Sequence, residues 1–183
     1  MSPAAPANSF LQRLIGAVAL DSAIYEEVDE DASATGQAFL VVLLSSLAAG
    51  IGSRGLGGTT VYGILFISAL ALIAWAAWAL VVFEIGTRLI PEPQTQSSVG
   101  EVLRTLGFAT APGLLRVIGV ISSATIPVFV ITALWMLAAM IVAVRQALDF
   151  RSTVHAIAVC VLGWTLAIAI AVVIGLFLGR PLQ

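Results

Sequence analysis

The chain has 183 residues, 60% of them hydrophobic and 10% charged, with a formal net charge of −2 and a mean hydropathy of +1.09. A soluble domain carries about 25% charged residues, so this chain has too little polar surface to cover a globule in water. Its one cysteine, Cys160, excludes an intrachain disulfide and reads as a small packing residue inside an apolar run.

Residues 1–33 read as a cytoplasmic segment. The spacing from Ser9 to about Val28 predicts one amphipathic helix in the membrane interface, with Phe10, Leu11, Leu14, Ile15 and Val18 on one side and Gln12, Arg13 and Asp21 away from it. "LIGAVAL" is short for the apolar core of a signal peptide and follows a single arginine. The acidic run Glu26–Asp31, "EEVDED", reads as a solvated linker that also places favourable charge at the next helix's N-terminus. A docking patch for a basic partner is the sharper alternative.

Residues 34–179 read as the membrane domain, and the fold class is all-α, a polytopic transmembrane helical bundle. Thr60–Phe83 carries no charge in 24 residues, Thr125–Val144 none in 20 and Ala156–Gly179 none in 24. A helix needs about 20 apolar residues to cross the hydrocarbon core, where its backbone must satisfy its own hydrogen bonds. Gly36–Ile51 is shorter, at 16, but uncharged and apolar enough to span with its flanks. The remaining candidate, Val102–Ile121, carries Arg104, Arg116, Gly107, Gly113 and Pro112. An arginine near a helix centre costs about 2.5 to 3.5 kcal/mol on insertion scales, so this segment fits best as one arm of a hairpin. Pro112 should bend it or split it into two short helices. The predicted spans lie near 36–52, 60–83, 102–121, 125–145 and 154–178.

Lysine is absent, so the arginines set orientation. With five spans, Arg13, Arg88, Arg104, Arg145 and Arg151 share one side, Arg54 and Arg180 the other, and Arg116 lies at some depth. The positive-inside rule then puts the N-terminus in the cytoplasm and the C-terminus outside. Many alanines and arginines beside no lysine suggest a GC-rich, bacterial genome, hence a cytoplasmic (inner) membrane.

The chain's one histidine lies in "VRQALDFRSTVHAIAVC", Val144–Cys160, between two apolar runs. His155 stands three residues after Ser152, where it can cap a helix start, while Asp149 and Arg151 flank a turn. One histidine and no second cysteine cannot make a typical zinc site, and no nucleophile elbow, Gly-rich phosphate loop or HExxH is present. The stretch reads as a turn, and the protein as no enzyme, with no cofactor. Three stretches, "ATGQAFL" from Ala34, "SVGEVLR" from Ser98 and "STVHAIA" from Ser152, share a small or capping residue with a polar side chain three positions on. Such spacing resembles a capping box.

The order of features resembles a known family. "SFLQRLIGAVALDSAIYEEV" leads through "DEDASATGQA" into the first span; two tight helix pairs follow, the second preceded by "SSVGEVLRTLGFATAPGLL", and "DFRSTVHAIAVCVLGW" opens the last. From about Phe10 to Leu178 this looks like the Yip1 domain family as found in bacteria. The resemblance implies five membrane helices and a cytoplasmic N-terminus. Eukaryotic members serve vesicle traffic and contact small GTPases of the Rab type. The long cytoplasmic extension associated with that contact has no counterpart here, which puts contact with a small GTPase in doubt.

Charge at membrane depth is the usual pointer to function. Glu84 and Arg88 are spaced for a helical ion pair, and Glu101 and Arg104 can pair likewise. Arg116 has no acid near it in sequence; it snorkels, pairs with another helix, or marks a substrate site. In the last span, Gly163, Ala167, Ala171 and Gly175 form a small-residue stripe suited to close helix packing, within the protein or with a partner. The expected partners are the lipid bilayer and other membrane proteins, not nucleic acid. The expected function is a membrane scaffold or an accessory subunit of a larger membrane complex. The alternative is a small-solute transporter or channel component, with Arg116, Glu84 and the broken segment lining the path.

Overall fold

The computed structural model describes residues 8–56, 60–121 and 123–178; side chains at 55, 56, 67, 71, 167, 168 and 170–178 lie outside that description. All regular structure among the described residues is helical. In chain order its main elements are α1 (Phe10–Val18), α2 (Ser22–Glu30), α3 (Thr35–Gly52), α4 (Val61–Glu84), α5 (Val99–Phe108), a 3₁₀ segment (Ala111–Val120), α6 (Thr125–Ala147) and α7 (Thr153–Leu178), with short 3₁₀ turns at Ala32–Ala34 and Ser53–Leu56 and a π-helical turn at Ile85–Leu89. Three stretches, Ala32–Gly52, Val61–Leu89 and Thr125–Ala147, are long and apolar enough to cross a membrane. Their outward faces are apolar, as at Phe66, Ile73 and Leu134.

The single N-terminal helix expected from Ser9 to Val28 is two. Leu20 has a positive φ of 61°, and the amides of Leu20 and Asp21 bond the carbonyls of Ala17 and Gly16. This is a Schellman C-cap, and the Asp21 side chain then caps α2 by accepting from the Ala23 amide at 3.0 Å. The apolar side of α1 is divided, with Phe10, Leu14 and Val18 against the core and Leu11 and Ile15 facing out. Arg13 is 2% exposed, whereas Leu11 and Ile15 are 62% and 60% exposed. Three polar partners on neighbouring elements meet the buried guanidinium.

The segment 102–121 is split, as Pro112 required. α5 ends at Phe108, and ten residues of 3₁₀ helix follow with Pro112 in the first turn. A 3₁₀ rise of about 2.0 Å per residue stretches ten residues over roughly 20 Å. The extended segment packs along α3 and α6, and glycines permit the close approach. A Cβ on Gly119 would stand 3.0 Å from Phe129 Cε2 of α6.

One end of the bundle is capped by helices. α2 and α5 both pack on α6, whose large exposed side chains stop at Leu137 while Ala139, Ala143, Val144 and Ala147 are buried. Tyr25, Val28, Val102, Leu106 and Phe108 fill this part of the core at 0% exposure. The indole N–H of Trp135 on α6 donates to the Val18 carbonyl at 2.8 Å, and Gln146 donates to Glu26 at 2.7 Å. These bonds fix the α1–α2 pair to the bundle.

Candidate functional site

The stretch around His155 is a turn. α6 closes in a second Schellman motif: Asp149 has φ 53°, and the amides of Asp149 and Phe150 bond the carbonyls of Gln146 and Arg145 at 3.0 and 2.9 Å. α7 then begins at Thr153. The residue that holds this corner is Glu92, which lies between Pro91 and Pro93 and was not singled out in the sequence. Its carboxylate accepts from the amides of Arg151 and Ser152 at 3.0 and 3.3 Å and pairs with His155 Nδ1 at 3.0 Å. Burial opposes its charge, but these amides and Gln94 hold Glu92 below the usual carboxylate range. The Ser152 carbonyl receives the His155 and Ala156 amides, starting α7.

Of the three capping-like stretches, Ser98 and Glu101 form the full reciprocal box. Ala34 makes no side-chain cap, and Gln37 instead accepts from Arg13. Ser9 and Gln12 form a further box at α1. Glu84 and Arg88 pair at 2.9 Å, with side chains 47% and 70% exposed. Arg104 turns away from Glu101 and donates to the carbonyls of Val28 and Asp29, closing the C-terminus of α2.

Arg13 ties the first three helices together. Its guanidinium donates to Glu27 at 2.9 Å, Asp31 at 2.6 Å and Gln37 at 3.2 Å, joining α1, α2 and α3. Asn8 adds both backbone and side-chain bonds to Glu27. The Ser33 hydroxyl, then Arg13, push Asp31 down to about 2. Asp29 behaves oppositely. Burial, and next to it the neighbouring Glu101 charge, raise it to about 7, and its Oδ1 has no hydrogen-bond partner among the described residues. Since its folded pKa lies above the ordinary value, the stability tied to its neutral form is intact below about pH 4. That stability is lost as pH rises toward 7. Asp29→Asn should therefore leave thermal unfolding in detergent unchanged near pH 4 and raise the melting temperature near pH 8. A parallel shift at both pH values would show that Asp29 is not the titrating group.

Arg116 borders a cavity of about 370 Å³ among α3, α4, α6, α7 and the broken segment. Its wall includes Ser45, Ala49, Trp75, Trp78, Met136 and Trp164. Arg116 Nε donates to Thr132 Oγ1 at 3.1 Å, and the guanidinium lies 5.4 Å from the ring centroid of Phe129. Thr132 can accept because its own hydrogen goes to the Val128 carbonyl at 2.8 Å. No carboxylate pairs with Arg116 among the described residues. The indole N–H groups of Trp75 and Trp78, in the same wall, are buried and lack an acceptor among the described residues. Glu84 belongs to a different groove, with Leu166 and Ala169.

Gly163 is buried against α4, where an added Cβ would stand 2.7 Å from Trp78 Cη2, and Trp78 packs on Trp164 at 5.7 Å. The α7 backbone continues through Ala167, Ala171 and Gly175, but the facing of that part of the stripe lies outside the described residues. No family model matches the chain, and comparisons with curated proteins and with solved structures found no match.

Proposed function

We propose that this chain is a five-segment, non-enzymatic protein of the bacterial inner membrane, similar to the Yip1 domain family, that acts as a scaffold or accessory subunit. Apart from the three long apolar helices, α7 and the α5–3₁₀ pair supply the other two segments. The exposed Leu11 and Ile15 suit an α1 that rests in the interface. Arginines favour a cytoplasmic N-terminus, since Arg13, Arg104 and Arg145 cluster around the helical cap and Arg54 follows α3 at the far end.

The observation that carries the scaffold reading is the broad apolar face of α4, where Leu65, Phe66, Leu70 and Ile73 are each more than half exposed. Most of this helix is left uncovered by its own chain, and a neighbouring membrane protein can pack there. A photo-crosslinking amino acid at Phe66 in living cells tests it. Discrete protein adducts are expected, and adducts with lipid alone would overturn the scaffold reading. One feature favours the solute-handling alternative: Arg116 and the broken segment do border a central cavity. Glu84, expected on the same path, faces the separate groove with Leu166.

A further inference from the structure

We infer that the central cavity binds an anionic ligand with a hydrocarbon body, its charged head on Arg116. Three observations carry this. Arg116 is a permanent cation with no carboxylate against it among the described residues. Its side chain sits about two turns of α6 in from Thr125, between Thr132 and Phe129. Threonine and an aromatic face offset only part of the cost of desolvating a guanidinium. An anion supplies the missing charge, and the two unused nitrogens of the fork can grip it as a bidentate pair.

The second observation is the pair of unpartnered indole N–H groups on Trp75 and Trp78 in the same wall. The Ser46 and Thr110 hydroxyls of the same wall donate to the carbonyls of Val42 and Gly107 at 2.7 Å each, and neither lies within hydrogen-bonding reach of an indole N–H. The wall is largely apolar, and these two donors together with the Arg116 guanidinium are the groups in it that an anion's oxygens would satisfy.

The third is the remaining lining, Val42, Ala49, Met136 and Met140 with the tryptophan rings, which favours hydrocarbon over a bare hydrated ion. At about 370 Å³ the space lies in the range of small-molecule sites and suits one acyl chain. That chain can belong to a free single-chain carboxylate or to an anionic phospholipid of the surrounding bilayer.

Tryptophan emission of the full chain in phosphatidylcholine nanodiscs reads the site directly. Dodecanoate should give a saturable change that dodecanol and dodecyltrimethylammonium do not. Arg116→Gln should weaken it at least tenfold, while Arg88→Gln, on the exposed pair, leaves it intact. Arg116→Lys should retain part of the affinity, and Ala49→Phe should abolish binding by filling the space with Arg116 still present. Loss of the dodecanoate response in phosphatidylglycerol nanodiscs assigns the site to the lipid; a retained response assigns it to the free amphiphile. Equal responses to neutral and cationic amphiphiles would overturn the proposal. So would undiminished binding in both Arg116→Gln and Ala49→Phe, or competition by inorganic phosphate as effective as that by dodecanoate.

Discussion

Arg13→Met is expected to destabilise the protein by about 3 kcal/mol, read as a drop in thermal stability in mild detergent and faster proteolysis between α1 and α2. Charge-assisted hydrogen bonds contribute about 1.5 to 3 kcal/mol each, and Arg13 donates to Glu27, Asp31 and Gln37. Removing one member of a buried ion pair costs about 3 to 5 kcal/mol when the other is stranded. Glu27 and Asp31 keep 25% and 29% of their side-chain surface, so water recovers part of that. Methionine fills the space of the aliphatic stem but offers no donor. Acid should mimic the substitution. Asp31 is held at about 2 by the Ser33 hydroxyl and Arg13; Glu27 is held low by Asn8 and Arg13 against the effect of burial. Depressed carboxylates stabilise above their ordinary pKa, and this is lost as pH falls from about 4 toward 2. A methionine variant as stable as the parent, with the same acid profile, would show that the network contributes nothing.

Gly52→Ala is expected to cost about 3 kcal/mol or more. The new Cβ would fall on the carbonyl oxygen of Arg116 and stand 3.1 Å from Phe129 Cε2. Overpacking ordinarily costs about 1 to 3 kcal/mol, and here the obstacle is backbone of a 3₁₀ segment that is already pressed against α3. Gly113→Ala is the control. Its Cβ meets the hydroxyl of Ser45, a group that can rotate away. Unfolding of the two variants should separate them, with Gly52→Ala clearly the worse; equal losses would mean that the 3₁₀ segment yields as readily as a side chain.

The long helices were legible because one physical signal, unbroken hydrophobicity over membrane-spanning length, dominates them. The break in 102–121 was legible because proline removes a donor and crowds the preceding turn. The corner at Asp149 was read as a turn, but its Schellman form, and the whole corner at Leu20, were hidden. Their left-handed positions are Leu20 and Asp149, not glycine, so no local residue marks the stop, and the tertiary bonds of Val18 and Gln94 hold them instead. Arg13 was set away from the apolar side by the helical wheel, which cannot see that Glu27, Asp31 and Gln37 converge on it from other elements. Glu92 escaped for the same reason: its partners lie about sixty residues ahead. Arg116 was singled out as a charge at depth, but the cavity beside it comes from separate chain segments and no spacing encodes it.

The bonds of the N-terminal helices divide by how far along the chain their partners lie. Arg13 reaches residues 14, 18 and 24 positions ahead, whereas Trp135 and Gln146 meet Val18 and Glu26 across 117 and 120 positions. On the ribosome, where chain emerges in order, the arginine cluster can close once the start of α3 is available. The paired helices then persist as a preformed unit through the synthesis of α4, α5 docks Arg104 on the end of α2, and α6 follows to receive both. Biogenesis thus has a built-in interval during which Trp135's future acceptor is already positioned and still vacant. Pausing translation between α5 and α6 should trap a chain whose first two helices resist protease, and Arg13→Met should erase that resistance.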